Sequence, residues 1–171
     1  MYSQAQEYLI GKLKEAGLKT KPHTTKKSIE RSQESHVGAV LFGSEAFVRN
    51  GSKKYYKDQT GAQKKRRKVF DRTLTFSVII GDYTADAVEA MLERLLSGLD
   101  CGIMVAGNFV PIEVDEAEWA YDDDSTLKAK VAVEMKIRFE GGIYKDTGIG
   151  TISRVEIASV ESSRKEPTDG E

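Results

Sequence analysis

The chain has 171 residues, the length of one domain, and at 39% hydrophobic it carries enough apolar material to bury a core, which excludes disorder for its bulk. Its 26 basic and 27 acidic residues leave a net charge of −1, so the molecule as a whole has no field to draw in nucleic acid at neutral pH. A lone cysteine, Cys101, excludes an internal disulfide, two histidines are too few for a zinc cluster, and no apolar run approaches the roughly 20 residues of a membrane span.

From the N-terminus, Tyr2, Ala5, Leu9, Leu13 and Ala16 recur at three- and four-residue spacing, which predicts a helix over 3–16 with one apolar face, ended by Gly17. This first segment lacks the hydrophobic stretch and cleavage site of a secretory leader, so a soluble, cytoplasmic protein is expected. Residues 19–35 are polar, contain Pro22, and read as an extended connector or arm. Residues 36–50, rich in small and β-favouring side chains, read as one long strand or a bent pair with Gly43 at the bend. The following "GSKKYYKDQTGAQKKRRK", with turn residues and almost nothing apolar, reads as a long hairpin loop. Leu74, Phe76, Val78 and Ile80 then alternate with Thr73, Thr75, Ser77 and Ile79, as in a strand with one buried face.

The period changes after Gly81. Thr84 is placed to cap a helix, Asp86 and Glu89 suit the positive end of its dipole, Val88, Met91, Leu92, Leu95 and Leu99 form its apolar stripe, and Gly98 marks its stop. Strands are expected at 102–106 and 109–121, the second passing Pro111, which belongs at an edge or a strand start. Leu127, Ala129, Val131, Val133, Met135, Ile137 and Phe139 then alternate with polar residues as one long strand, wet on one side. Gly141 and Gly142 read as a turn, 149–160 as a C-terminal strand or arm, and 161–171 as a disordered tail. The order predicts a single α+β domain over 1–148, a mainly antiparallel sheet with an N-terminal and a central helix on one face.

Few residues point to chemistry. There is no phosphate-binding glycine loop, no dinucleotide fingerprint, no zinc-protease helix motif and no nucleophile elbow. His23 and His36 have neither an identifiable orienting carboxylate nor a nucleophile, and Cys101 reads as a small buried apolar thiol. Asp122, Asp123 and Asp124 offer hard oxygen ligands, but adjacent carboxylates on a hairpin tip diverge, so a solvated turn is expected rather than a metal site. Trp119 reads as core or edge packing. The sequence therefore predicts neither an enzyme nor a cofactor.

Charge is segregated along the chain. From Arg49 to Arg72 there are ten basic residues against Asp58 and Asp71, a local net of +8; from Asp82 to Asp124 there are twelve acidic residues against Arg94, a local net of −11. The two segments either neutralise each other within one subunit or emerge on opposite flanks, in which case one copy's basic flank meets the next copy's acidic flank. Such a heterologous contact closes into a ring or continues as a filament. The basic candidates are Lys53, Lys54, Lys57, Lys64, Lys65, Arg66, Arg67 and Lys68; the acidic ones are Asp82, Asp86, Glu89, Glu93, Asp115, Glu116, Glu118, Asp122, Asp123 and Asp124. The run "KKRRK" also matches a nuclear-targeting tag, although it leads directly into a strand.

An N-terminal amphipathic helix, a basic segment leading into "RTLTFSVIIGDYTADAVEAMLERLLSGL", and the alternating strand "LKAKVAVEMKIRFEGG" together resemble the tail-terminator and neck proteins of tailed bacteriophages and of phage-derived contractile particles. The resemblance covers residues 3–142 and is one of layout, since these proteins have no diagnostic signature residues; the connector and the C-terminal segment are not accounted for. It implies a structural protein of the virion or tail-like particle, assembled in the host cytoplasm. Its subunits would form a ring, typically six-fold, that ends the tail tube and joins it to neck or head. Implied partners are further copies of the chain, tube, sheath or neck proteins, and DNA passing through the lumen without sequence recognition. A tube or baseplate subunit of the same particles fits the layout too. The alternative is a sequence-independent nucleic-acid-binding module using residues 53–68, with Tyr55 and Tyr56 beside the lysines available to stack on bases.

Overall fold

A computed structural model describes residues 1–121 and 129–149. In chain order the elements are α1 (Tyr2–Glu15), α2 (Lys26–Glu30), β1 (Val37–Arg49), β2 (Lys53–Lys57), β3 (Gln63–Asp82), α3 (Ala85–Gly98), β4 (Gly102–Val105), β5 (Asn108–Tyr121) and β6 (Val131–Gly148). The strands form a six-stranded sheet ordered β1-β3-β6-β5-β4, with β2 pairing β3 on the side that β1 occupies higher up. Every pairing between strands is antiparallel, and the elements make an α+β fold.

Alternation decides where the core lies. Leu74, Phe76, Val78 and Ile80 of β3 and Val133, Met135, Ile137 and Phe139 of β6 are fully buried and share one sheet face. Ala5, Leu9 and Leu13 of α1 and Val88, Met91 and Leu95 of α3 join them in one cluster. The Phe76 and Phe139 rings meet edge-on at 6.0 Å, and Tyr8 meets Phe139 the same way at 6.3 Å. Polar contacts tie α1 to α3 and the residues after it: Arg94 Nε donates to the Ala16 carbonyl at 2.7 Å, and Asp100 accepts from the Tyr8 hydroxyl at 3.0 Å and lies 3.3 Å from Lys12 Nζ. Helix α1 stops at Gly17, whose φ of +111° suits glycine and lets the Leu18 amide donate back to the Leu13 carbonyl at 3.1 Å. Helix α3 begins at Thr84, whose hydroxyl accepts from the Ala87 amide at 3.3 Å. The bend expected at Gly43 is a β-bulge, with the register against β3 shifting between Phe42 and Ser44.

Four expectations are corrected. The connector is not simply extended: Thr25 caps the short helix α2, and His23 bridges β1 in parallel beside Ala39. With Ile29 from α2, this segment covers Val37, Ala39 and Leu41 in a second, smaller apolar cluster. The basic segment is no loop. Residues 53–57 and 63–68 are strands, and only the turn at 58–62 is irregular, drawn tight because Asp58 accepts from the Thr60 hydroxyl and from the amides of Thr60 and Ala62. Gly141 and Gly142 do not turn the chain; they lie inside β6, which runs on to Gly148 opposite Lys64. A side chain at Gly142 would crowd the Phe70 carbonyl at 3.1 Å beside the bulge at Val69, so the glycine eases the approach of β3 there. Finally, Cys101 is exposed.

Candidate interaction surfaces

Beyond the helices, β2, the first part of β3 and the last part of β6 form a three-stranded arm, and cross-strand register sorts its side chains onto two faces. On one face Lys54, Arg66 and Asp146 lie side by side, followed by Tyr56 and Lys64, with Lys68 beside Tyr144. All but Lys54 of its cations are neutralised from within. Arg66 donates through Nε and Nη2 to both oxygens of Asp146 at 2.7 Å and through Nη1 to Asn108 at 3.0 Å. Its guanidinium also lies 5.1 Å from the Tyr56 ring centre and 5.7 Å from that of Tyr144. Lys68 meets Asp71 at 2.6 Å and Lys64 meets Asp58 at 3.6 Å. These contacts depress the acids: Asp146 through its bonds from Arg66, Asp71 through that from Lys68, and Asp58 chiefly through the Thr60 hydroxyl. Arg66 is held still further above its ordinary value by the Asp146 bond.

The opposite face of the arm carries Lys53, Lys57, Lys65, Arg67 and Lys145 around Tyr55. Lys53, Arg67 and Lys145 are directly adjacent across three strands. No carboxylate among the described residues pairs with any of the five. Tyr55 is 64% exposed, whereas Tyr56 on the other side is half-buried and donates to Asp146 at 3.1 Å. The basic candidates are therefore brought together in space but divided in their contacts: Lys64, Arg66 and Lys68 hold the arm together, Lys54 shares their face without an ion pair among the described residues, and Lys53, Lys57, Lys65 and Arg67 lie on the opposite face. Sequence reasoning missed Tyr144, Lys145 and Asp146, because the glycine pair suggested that the strand had ended. The continued polar alternation after Gly142 was the available signal.

The acidic candidates are dispersed. Asp86, Glu89 and Glu93 are exposed on α3, while Asp115, Glu116 and Glu118 are exposed on β5 at the far side of the sheet. Asp82 is engaged with His36 at 2.8 Å, Asp115 lies 3.0 Å from Arg138, and Glu116 lies 3.5 Å from Lys136. Glu118 stands opposite Glu134, and Glu113 opposite Arg138. Asp122, Asp123, Asp124 and the expected C-terminal segments beyond Ile149 lie outside the described residues.

Both histidines are locally engaged. His36 Nε2 accepts from the Lys19 amide at 3.2 Å, which places the ring proton on Nδ1 toward Asp82; His23 Nδ1 contacts the Ser28 hydroxyl at 2.6 Å. A depression of about 520 Å³ crosses the sheet face opposite the main core between α2 and β5, lined among others by Ile29, Leu41, Ile79, Trp119, Glu118 and Glu134. Trp119 is thus an edge residue, 38% exposed. Among the described residues no helix is long and apolar enough to cross a membrane, and no group of three or more His, Cys, Asp or Glu is arranged to hold a metal ion. No protein-family model matches this chain, and its sequence matches no curated protein.

Proposed function

We propose that the chain is a structural, non-catalytic subunit that assembles with copies of itself into a ring of the tail-terminator or neck type, ending a tail tube. The observation that carries this reading is the placement of opposite charge at opposite margins of one sheet. Lys53, Lys54 and Lys57 line the β2 margin, and Glu113 and Glu118 line the β5 margin together with Asp115 and Glu116. Both margins also have unpaired backbone. Among the described residues β2 has no partner on its outer side, and β4 covers β5 only from Asn108 to Pro111. An open edge is a template for another strand, and a margin of one sign seeks a margin of the other. Because the two margins differ, their contact is heterologous, and it closes when the rotation per copy allows.

The test is solution mass by light scattering across concentration at low and high salt. A discrete oligomer, six-fold in particular, is expected, shrinking as salt screens the contact. Lys54→Glu with Lys57→Glu, or Glu113→Lys with Glu118→Lys, should dissociate it, and mixing the two reversed proteins should restore a mixed assembly. A monomer under all conditions would overturn self-assembly by this contact.

A further inference from the structure

We propose that the outward face of the arm is a platform for single-stranded nucleic acid, holding phosphates with Lys53, Lys57, Lys65, Arg67 and Lys145 and stacking a base on Tyr55. This does not rest on the ring reading: Lys53 and Lys57 on β2 serve both, but the platform adds Lys65 and Arg67 of β3 and Lys145 of β6, which lie inside the margin.

The two faces supply the argument. They share strands and backbone ladder, yet on one Lys64, Arg66 and Lys68 are matched by Asp58, Asp146 and Asp71, leaving Lys54 over, and on the other no cation is matched by a carboxylate among the described residues. Like charges directly opposite one another destabilise a sheet, so a row of Lys53, Arg67 and Lys145 is a standing cost unless a ligand supplies the negative charge. The ligand must be a polyanion. Adjacent strands are about 4.8 Å apart and alternate residues about 6.7 Å, so the cations cover a patch of about 10 by 13 Å. A patch of that size spans about one Debye length at physiological salt, and so it acts at contact even though the whole molecule carries a net charge of −1.

Tyr55 distinguishes among polyanions. It stands at the centre of the patch, opposite Lys65, and a depression of about 250 Å³ lined by Tyr55, Tyr56, Lys57 and Gln63 opens beside it. An acidic peptide satisfies the cations and leaves the ring without a partner. A duplex keeps its bases stacked inside. An unpaired strand presents phosphates to the cations and base faces to the ring, the combination by which sequence-tolerant single-strand binders work.

The experiment is fluorescence anisotropy with labelled oligothymidylate, a duplex of mixed sequence, and polyglutamate as competitor, using the full chain. Binding to the single strand is expected at low salt, with a log–log salt slope of about −3.5 if all five phosphate contacts form. Lys65→Gln with Arg67→Gln should flatten that slope by about 1.4, whereas Lys27→Gln with Lys54→Gln, an equal charge change at exposed residues off that face and in no ion pair among the described residues, should leave it unchanged. Tyr55→Ala should weaken binding about tenfold with the slope preserved. Absence of single-strand binding, equal loss from both charge pairs, tighter binding to duplex, or displacement by polyglutamate as readily as by unlabelled strand would each overturn the proposal. Light scattering on the same variants separates this outcome from the ring reading, since Lys65 and Arg67 lie on β3, inside the margin.

Discussion

Strands β3 and β6 pass, with one bulge at Val69 between them, through two regions held together by different forces. From Leu74 to Ile80, and from Val133 to Phe139, alternate side chains are fully buried against α1 and α3. From Lys64 to Lys68, and from Tyr144 to Gly148, no residue is buried, and the strands are joined by backbone bonds, charge-assisted contacts and Arg66 lying over two tyrosine rings. Burying a large apolar side chain contributes about 1.5–3 kcal/mol, whereas an exposed ion pair contributes about 1 kcal/mol or less. One pair of strands can thus be anchored by burial at one end and remain polar on both faces at the other, where its side chains are free to engage something else. The body should unfold globally, and the arm should open locally at lower free energy.

That contrast can be broken most severely in the body. Phe139→Ala removes a fully buried ring packed against Phe76 and Tyr8, and should cost about 3–5 kcal/mol in urea unfolding, taking arm and body together. Thr84→Ala removes the hydroxyl that caps α3 and should cost about 1 kcal/mol, seen as a lower Tm with hydrogen exchange in the arm unchanged. Arg66→Ala should do the converse. Global stability should fall by about 1 kcal/mol or less, while amides of residues 64–68 exchange faster because Asp146, Asn108 and Tyr56 lose their common partner. A uniform loss of protection throughout the sheet would show that arm and body form one cooperative unit.

The smallest effect is that of pH. Asp146, Asp71 and Asp58 are depressed in the folded state by the bonds from Arg66, Lys68 and Thr60. A carboxyl lowered on folding stabilises fully above its unfolded value of about 3.9, and that contribution is lost as pH falls through the folded value. Arm exchange should therefore be flat from neutrality down to about pH 4 and rise below it. Asp100, depressed by its bond from Tyr8, adds the same trend where α1 meets the residues after α3. A rise in arm exchange well above pH 4 would show that these carboxylates are not what holds it.

The body was legible from residue order because its signals are local and periodic. The period-two runs at 74–80 and 127–139, the second described as strand from Val131, the three-and-four spacing in α1 and α3, Thr84 as cap, Gly17 as stop and Gly43 as bend each depend on neighbours within a few positions, and burial of one face enforces them. The arm was not legible. A strand polar on both faces has no hydrophobic period, so residues 53–68 resembled a loop and the glycines at 141 and 142 resembled a turn.

Composition and order alone established an α+β chain with segregated charge. Which cations are spent and which are free follows from contacts such as Arg66 with Asp146, 80 positions apart, and with Asn108, 42 apart. A shift of one residue in the pairing of β3 with β6 would move Arg66 away from Asp146 and turn the outward cations toward other neighbours. Local spacing carries no information about that register, because it is set where the same two strands are packed under α1 and α3 and is then offset by one residue at the bulge at Val69, which brings Arg66 opposite Asp146.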